Sequence, residues 1–140
     1  MARQSDERLD IVRRWADAWN RLDWDGVADT FAEHATNHSM MDEPIAGRGN
    51  IRDRTRLVME RVRQIDISLV RLSLLADGVV AAERIDACRR PDGSWGRVPV
   101  AGFYEVEDGL IVRKRDYYDR DQLLEAMGLN AGGLPASGSA

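Results

Sequence analysis

Residues 65–118, IDISLVRLSLLADGVVAAERIDACRRPDGSWGRVPVAGFYEVEDGLIVRKRDYY, decide the fold. The first part of this stretch alternates apolar and polar side chains from Ile65 towards Leu74, which is typical of a strand with one buried face. Three turn signals divide the remainder: Asp77-Gly78, Pro91-Asp92-Gly93 and Glu107-Asp108-Gly109. The stretch therefore predicts four consecutive strands joined by short turns, over residues 65–74, 79–89, 97–106 and 110–118.

The segments on either side of this stretch have helical spacing instead. Apolar residues recur every three or four positions from Ser5 to Arg21, and Ser5 is placed to be the N-cap of that helix. We predict a second short helix from about Asp25 to Phe31 and a third that opens at residues 47–50 and extends to residue 62. A last helix is expected after Asp119, whose side chain can cap it.

Helices followed by consecutive strands indicate an α+β fold with a mostly antiparallel sheet. A curved sheet folded over packed helices would form a cone with a deep pocket at one end, where a ligand is expected. The length of 140 residues fits one domain, which we assign to residues 1–129. The small, polar segment 130–140 is expected to be a disordered tail.

Composition excludes several classes of function. The chain has 24 acidic and 20 basic residues, and its net charge of −4 without a basic block argues against nucleic-acid binding. Lys114 is its only lysine. No apolar run approaches the ~20 residues of a membrane span, and the N-terminal sequence lacks the apolar part of a signal peptide. Cys88 is the only cysteine, so we expect a cytoplasmic protein without an internal disulfide.

The most informative motif is Glu83-Arg84-Ile85-Asp86. On a strand, Arg84 and Asp86 point to the same face, among small apolar neighbours. Burying them there is costly unless they pair with each other or with a third group. Asp116, on the last predicted strand, offers that group. We therefore expect Arg84, Asp86 and Asp116 to converge in a dry cavity.

This trio allows two interpretations. It can be a structural ion-pair network, which the spacing alone favours. It can also perform acid/base chemistry, because two carboxylates held apart by one guanidinium can occupy different protonation states. The ionised carboxylate would then take a proton from water while the neutral one gives a proton to a leaving oxygen. Such chemistry requires neither a metal nor another cofactor.

Residues 83–119, ERIDACRRPDGSWGRVPVAGFYEVEDGLIVRKRDYYD, resemble the limonene-1,2-epoxide hydrolase family, within the larger NTF2-like fold group that includes SnoaL and ketosteroid isomerase. In that family an E-R-x-D strand supplies an arginine and an acid, and a later R-D-Y-[FY]-D segment supplies a second acid. The resemblance implies that Asp86 is the general acid, Asp116 the base that activates water, and Arg84 the bridge between them. It implies an epoxide substrate and no cofactor.

The chain departs from this family at the residues that hold the water. Family members use a tyrosine and an asparagine two residues apart on the first strand, and the corresponding positions here are Asn37 and Ser39. The Asn37 amide and the Ser39 hydroxyl can still bind a water or a substrate oxygen. The resemblance also implies a homodimer that forms through the exposed sheet face. Three residues are expected to contribute to that interface: Val98, Val100 and Phe103.

The missing tyrosine leaves the reaction open. A cyclase or isomerase of polyketide or other secondary metabolism would use the same acid/base pair on a substrate hydroxyl or next to a carbonyl. A non-catalytic binding or dimerisation module of the same fold is a third interpretation, in which Asp86 and Asp116 matter for folding alone. The expected ligand is accordingly a small apolar or polyketide-like molecule, and in the leading interpretation an epoxide.

Other candidate side chains have simpler explanations. His34 and His38 are four residues apart, but with no further histidine and one cysteine they do not indicate a metal site. Cys88 is expected to be a small buried apolar residue, since no histidine is placed to activate it. The Gly47-Arg48-Gly49 segment lacks the Lys-Ser/Thr of a phosphate loop. Three tryptophans are expected in the core or in the pocket wall: Trp15, Trp19 and Trp24.

Overall fold

The computed structural model describes residues 2–130 and 132–133, and the side chains from residue 7 onward. Four helices and six strands follow one another along the chain: α1 (Ala2–Asn20), α2 (Trp24–Asp29), β1 (Phe31–Ser39), β2 (Ile45–Ala46), α3 (Arg48–Met59), β3 (Gln64–Leu74), β4 (Val80–Arg89), β5 (Trp95–Glu107), β6 (Leu110–Tyr117) and α4 (Arg120–Ala126). The predicted α+β class, with helices first and consecutive strands after them, is confirmed.

The six strands form one sheet in the order β2-β1-β6-β5-β4-β3. The run from β3 to β6 is antiparallel throughout, as the turn signals predict, whereas β1 pairs with β6 in parallel. The register shifts between Leu69 and Arg71 in β3 and between Glu105 and Val106 in β5. Such irregularities increase the local twist, and the sheet accordingly curves without closing.

The hydrophobic core lies between α1 and the inner face of this sheet. Five residues from four elements illustrate its apolar composition: Val12, Trp15, Phe31, Val80 and Ile111, none more than 2% exposed. The end of α1 is fixed to the edge strand β3 by Asn20. Its side chain accepts a hydrogen bond from the Ile67 N–H (2.7 Å) and donates one to the Ile67 carbonyl (3.3 Å). Asn20 thus makes the two backbone hydrogen bonds that a neighbouring strand would make with Ile67.

The element boundaries differ from the predicted ones in three places. Phe31 begins β1 and does not end α2, since its side chain is fully buried in the core. The short strand β2 is not predicted, because two residues are too few to show a period. Helix α1 begins at Ala2, ahead of Ser5, whose side chain lies outside the described residues. The same holds for residues 131 and 134–140 of the expected tail.

The last helix follows the prediction closely. The Asp119 carboxylate accepts a hydrogen bond from the Gln122 N–H at 3.1 Å, so Asp119 is the N-cap of α4. This bond satisfies one of the free N–H groups at the start of the helix. Among the described helices, none is long and apolar enough to cross a membrane.

Two residues assigned to the exposed sheet face are on the other side. Val98 and Val100 are 1% and 5% exposed and line the interior, so they cannot contribute to a dimer interface. Their partners across the β4–β5 pairing are Asp86 and Arg84, and directly paired residues share a face. Phe103 does lie on the outer face, where its ring contacts the ring of Tyr117 at 5.8 Å.

Candidate active site

A cavity of about 630 Å³ lies between α1, α3, α4 and the inner face of the sheet. Most of its surface is apolar, and six residues represent its wall: Trp15, Trp19, Val58, Ile65, Val98 and Leu124. The polar groups converge on the part of the wall that β1, β4 and β6 supply. The cavity is therefore built for a mainly apolar ligand with one polar reacting region.

Arg84 is the centre of the polar region, and its side chain is 2% exposed. It donates to both oxygens of Asp86, from Nε at 3.0 Å and from one terminal nitrogen at 2.7 Å. It also donates to both oxygens of Asp116, at 2.9 and 3.1 Å. The structure thus brings together the three residues that the sequence analysis selected, in the pairing that their burial requires.

The two carboxylates have different surroundings. The Asp86 side chain is 25% exposed and reaches the cavity, whereas that of Asp116 is 8% exposed. Burial alone would raise the pKa of Asp116, but Arg84 and Lys114 outweigh that effect and hold the pKa at about 2. Burial likewise opposes the charge of Arg84, yet Asp116, Tyr104 and Asp86 together raise its pKa well above the ordinary value.

Tyr104 is a further member of this network that the sequence analysis did not select. Its hydroxyl accepts a hydrogen bond from Arg84 at 2.7 Å, and its ring packs edge-on against Trp15. Burial raises the pKa of Tyr104 strongly, so its phenol stays neutral. Tyr104 lies two residues beyond Gly102 on the inner face of β5, and Gly102 pairs with Asp116. The period of two along β5 places Tyr104 on the same face as Gly102.

Lys114 was not predicted as a site residue either. Its amine donates to Asp116 (2.5 Å) and to the Asn37 side-chain oxygen (3.3 Å). The Trp15 ring lies beneath it at 4.9 Å and beneath the Arg84 guanidinium at 4.7 Å. Lys114 stands two residues before Asp116 on β6, a spacing that places both on one face. Lys114 could therefore have been predicted from the sequence as a neighbour of Asp116.

Asn37 and Ser39, the proposed water-holding pair, both line the cavity. In the parallel pairing of β1 with β6, Asn37 lies opposite Lys114, and Ser39 lies opposite Asp116. The Asn37 amide oxygen is engaged by Lys114. Ser39 lies beside the hydroxyl of Tyr118, whose pKa is raised by burial. A phenol thus does reach this part of the cavity, but from the end of β6 and not from β1.

Three candidates of the sequence analysis remain: Cys88, His34 and His38. Burial raises the pKa of the Cys88 thiol, which donates a hydrogen bond to the Ala126 carbonyl at 3.1 Å. His38 makes a hydrogen bond with the Asp42 carbonyl at 2.9 Å, and His34 is exposed. Within residues 2–130 and 132–133, no group of three or more His, Cys, Asp or Glu side chains is placed to hold a metal ion.

The fold is that of a known class of proteins. Residues 12–114 match the SnoaL-like domain family, and the chain belongs to that family. The SnoaL-like domain is an NTF2-like fold, which confirms the fold group that the resemblance implied. The family includes enzymes that differ in reaction.

Solved structures with the same fold illustrate this range. An LEH-like epoxide hydrolase from M. tuberculosis is 25% identical, with a TM-score of 0.74 over 87% of this chain and 90% of that one. SalBIII, an epoxide hydrolase/cyclase-like enzyme of pyran ring formation in the polyether salinomycin, is 20% identical, with a TM-score of 0.75 over 84% and 94%. A protein with a ketosteroid isomerase-like fold from Catenulispora acidiphila is 21% identical, with a TM-score of 0.77 over 89% and 97%.

Proposed function

We propose that the cavity opens epoxides to vicinal diols by one-step acid/base attack of water. The observation that carries this proposal is the double bridge of Arg84, which binds the carboxylates of both Asp86 and Asp116 at the wall of an apolar cavity. The similarity to the M. tuberculosis epoxide hydrolase supports it.

Asp116 is the base in this mechanism. A carboxylate offers about four acceptor positions, and Arg84 and Lys114 occupy three of them, leaving one on Oδ1 for a water. Asp116 takes a proton from that water while the water oxygen forms a bond to one epoxide carbon. The Asn37 amide and the Ser39 hydroxyl line the same part of the cavity and would orient the water.

Asp86 is the acid. As the epoxide C–O bond breaks, the ring oxygen takes a proton from Asp86, and a neutral diol results. Asp116 is then protonated and Asp86 ionised, so one proton must return from the first to the second before the next cycle. Arg84 contacts both and stabilises the charge in either position. No cofactor takes part in these steps.

A cyclisation is the second candidate, because β1 carries no tyrosine to hold a water and Lys114 occupies the side-chain oxygen of Asn37. A hydroxyl of the substrate itself, held close to the epoxide carbon, is a more effective nucleophile than free water because binding has already removed its translational entropy. The product would then be a cyclic ether.

We also propose a cytoplasmic homodimer. The outer sheet face carries Phe103 and Tyr117, and the Tyr117 side chain is 45% exposed. Aromatic residues of this kind are enriched in protein interfaces. The molar mass in solution, measured by light scattering, tests this assembly, and Phe103→Glu should give a monomer.

Turnover of a panel of epoxides in ¹⁸O-labelled water tests the catalytic proposal. The panel runs from cyclohexene oxide to terpene and fused-ring epoxides, with a hydroxy-epoxide added for cyclisation. We expect labelled diol from the wild type and a loss of at least about 100-fold in both Asp86→Asn and Asp116→Asn. Asp66→Asn, an identical change at an exposed position of β3, is the matched control and should leave turnover unchanged.

Three outcomes decide between the candidates. Unchanged turnover in both site variants overturns the roles of Asp86 and Asp116. An unlabelled cyclic ether from the hydroxy-epoxide, without diol from the others, replaces hydrolysis by cyclisation. If the folded wild type forms no product from any compound, both reactions are overturned, and a non-catalytic binding module is the remaining interpretation.

A further inference from the structure

Lys114 is the one amine-bearing side chain in this protein. Of its 20 basic residues, 19 are arginine. The single lysine lies neither on the surface nor in a loop: it is 4% exposed and lines the cavity beside Asp116. A lysine differs from an arginine in one chemical respect that matters here, since its side chain can lose its proton inside a protein and an arginine cannot.

The charges around Lys114 favour that loss. The fully buried part of the network contains two cations, Arg84 and Lys114, and one anion, Asp116. Asp86 is the remaining charged group nearby, and it directs both oxygens to Arg84. A buried, unbalanced positive charge is costly. Burial lowers the pKa of Lys114 and Arg84 adds to this shift, whereas Asp116 and, more weakly, Asp86 oppose it, and the pKa stays below the ordinary value.

Lys114 can keep both of its hydrogen bonds when the amine loses its proton. Two acceptors face its nitrogen, Asp116 Oδ2 and Asn37 Oδ1. A neutral amine has two N–H groups, which these acceptors satisfy, and one lone pair. The Trp15 ring covers one side of the nitrogen at 4.9 Å. The lone pair is then the group available to a molecule in the cavity.

We propose that the Lys114 amine condenses with apolar aldehydes and ketones that enter the cavity, forming an imine. The nitrogen lone pair forms a bond to the carbonyl carbon, and the carbonyl π electrons move to the oxygen. The two amine hydrogens then leave with that oxygen as water, and a C=N bond remains. The balance needs no oxidant, reductant or co-reactant. This proposal does not rest on the proposed epoxide opening.

The cavity defines the class of carbonyl compound. A hydrocarbon body is favoured because six large apolar side chains line the cavity: Trp15, Trp19, Ile65, Ile67, Val98 and Val100. The volume of about 630 Å³ admits a molecule larger than a simple aldehyde. Terpenoid or polyketide-like aldehydes and ketones meet both requirements.

Two probes test the proposal with the intact chain. The first is 2,4-pentanedione, which gives a conjugated enaminone with a neutral amine that is detected by its near-ultraviolet absorption. The second is citral in the presence of cyanoborohydride, which reduces the imine to a stable adduct. We expect one adduct per chain, mapped to Lys114 by peptide mass spectrometry. Lys114→Arg should give none at that position.

Unfolded protein provides the positive control and the measure of activation. In urea, Lys114 has an ordinary pKa and should react slowly with 2,4-pentanedione. We expect the folded chain to react faster at pH 7, since a lowered pKa leaves more of the amine unprotonated. Labelling confined to the N-terminal amine, or equal rates in the folded and unfolded states, overturns the proposal. Asp66→Asn, at an exposed position of β3, is the matched control and should label like the wild type.

Discussion

Arg84 on β4 binds both carboxylate oxygens of Asp116 on β6, although β5 lies between the two strands. The guanidinium reaches across at Gly102, which pairs with Asp116 in the β5–β6 register. A Cβ atom at Gly102 would lie 2.6 Å from an Arg84 terminal nitrogen and 2.8 Å from an Asp116 oxygen. The bridge between the two residues therefore depends on a position without a side chain.

We expect Gly102→Ala to disrupt this bridge. The added methyl group cannot coexist with the Arg84–Asp116 contact, and separating a buried pair typically costs about 3–5 kcal/mol. Denaturant unfolding measures the loss, and epoxide turnover should fall with it. Gly49→Ala is the control, because a Cβ there meets nothing within 4 Å and alanine favours the helix α3. Wild-type stability in Gly102→Ala would show that Arg84 has another way to reach Asp116.

Tyr104→Phe tests a weaker contact of the same guanidinium. The change removes the hydroxyl that accepts from Arg84 at 2.7 Å, but the same nitrogen keeps its bond to Asp116. We expect a stability loss of about 1 kcal/mol and a catalytic rate close to that of the wild type. Tyr117→Phe, on the exposed outer face, should change neither. A rate loss as large as that of Asp116→Asn would move Tyr104 into the reaction itself.

The stability of the fold should fall at acid pH because of Asp116. Its pKa is 3.8 in the ordinary state and about 2 in the folded protein, so the unfolded chain binds more protons between these values. The stabilisation is complete above the unfolded pKa and is lost as the pH falls through the folded one. We expect a decrease of roughly 2 kcal/mol from this group. Unfolding free energies measured from pH 6 to pH 2 should show it.

Asp116→Asn is the comparison for that experiment. Asparagine does not titrate, so the variant should be less stable at neutral pH and should lose less on acidification. Parallel curves for the variant and the wild type would assign the acid sensitivity to other carboxylates. The exposed Asp66→Asn should follow the wild type at each pH, since its side chain is solvated on β3.

The residues of the site that the sequence predicts lie on strands with a regular period of two and carry charges that need a partner when they are buried. Arg84 and Asp86 are two residues apart on β4, and burial forces them to pair. Asp116 followed from the same logic. Lys114 and Tyr104 are not predicted, because carboxylates alone are enough to pair with one buried arginine. Lys114 is two residues from Asp116, so the same period of two places this second cation on the buried face of β6.

The errors on β5 and β6 have a physical cause in strand register. Val98 and Val100 were assigned outward without deriving the β4–β5 pairing, which places them opposite Asp86 and Arg84. At β6, a period of two from Asp116 assigns Val112 to the inner face, whereas the fully buried residue is Ile111. The register shift between Glu105 and Val106 changes the faces at that end of the pair. Irregularities of this kind leave no signal in a single sequence.

The last prediction concerns the part of the cavity wall that α4 forms. Gly96 on β5 contacts the backbone of Ala126 so closely that a Cβ would overlap it. We therefore expect Gly96→Ala to displace α4 and, with it, the cavity-lining Leu124 and Met127. The contacts of Arg84 with Asp86 and Asp116 do not involve Gly96 or Ala126, and we expect them to stay intact. Substrate binding should weaken, with KM raised several-fold, while kcat changes less.

That pattern is the reverse of the one expected for Gly102→Ala, in which kcat falls because the acid/base pair loses its bridge. Steady-state kinetics on the same epoxide compare the two variants, each of which adds one methyl group to β5. An equal fall of kcat in both would mean that α4 also positions the reacting groups. Cys88→Ala removes the thiol that bonds to the Ala126 carbonyl without adding volume, and it should leave KM close to the wild-type value. A large change there would instead make this one hydrogen bond the main attachment of α4.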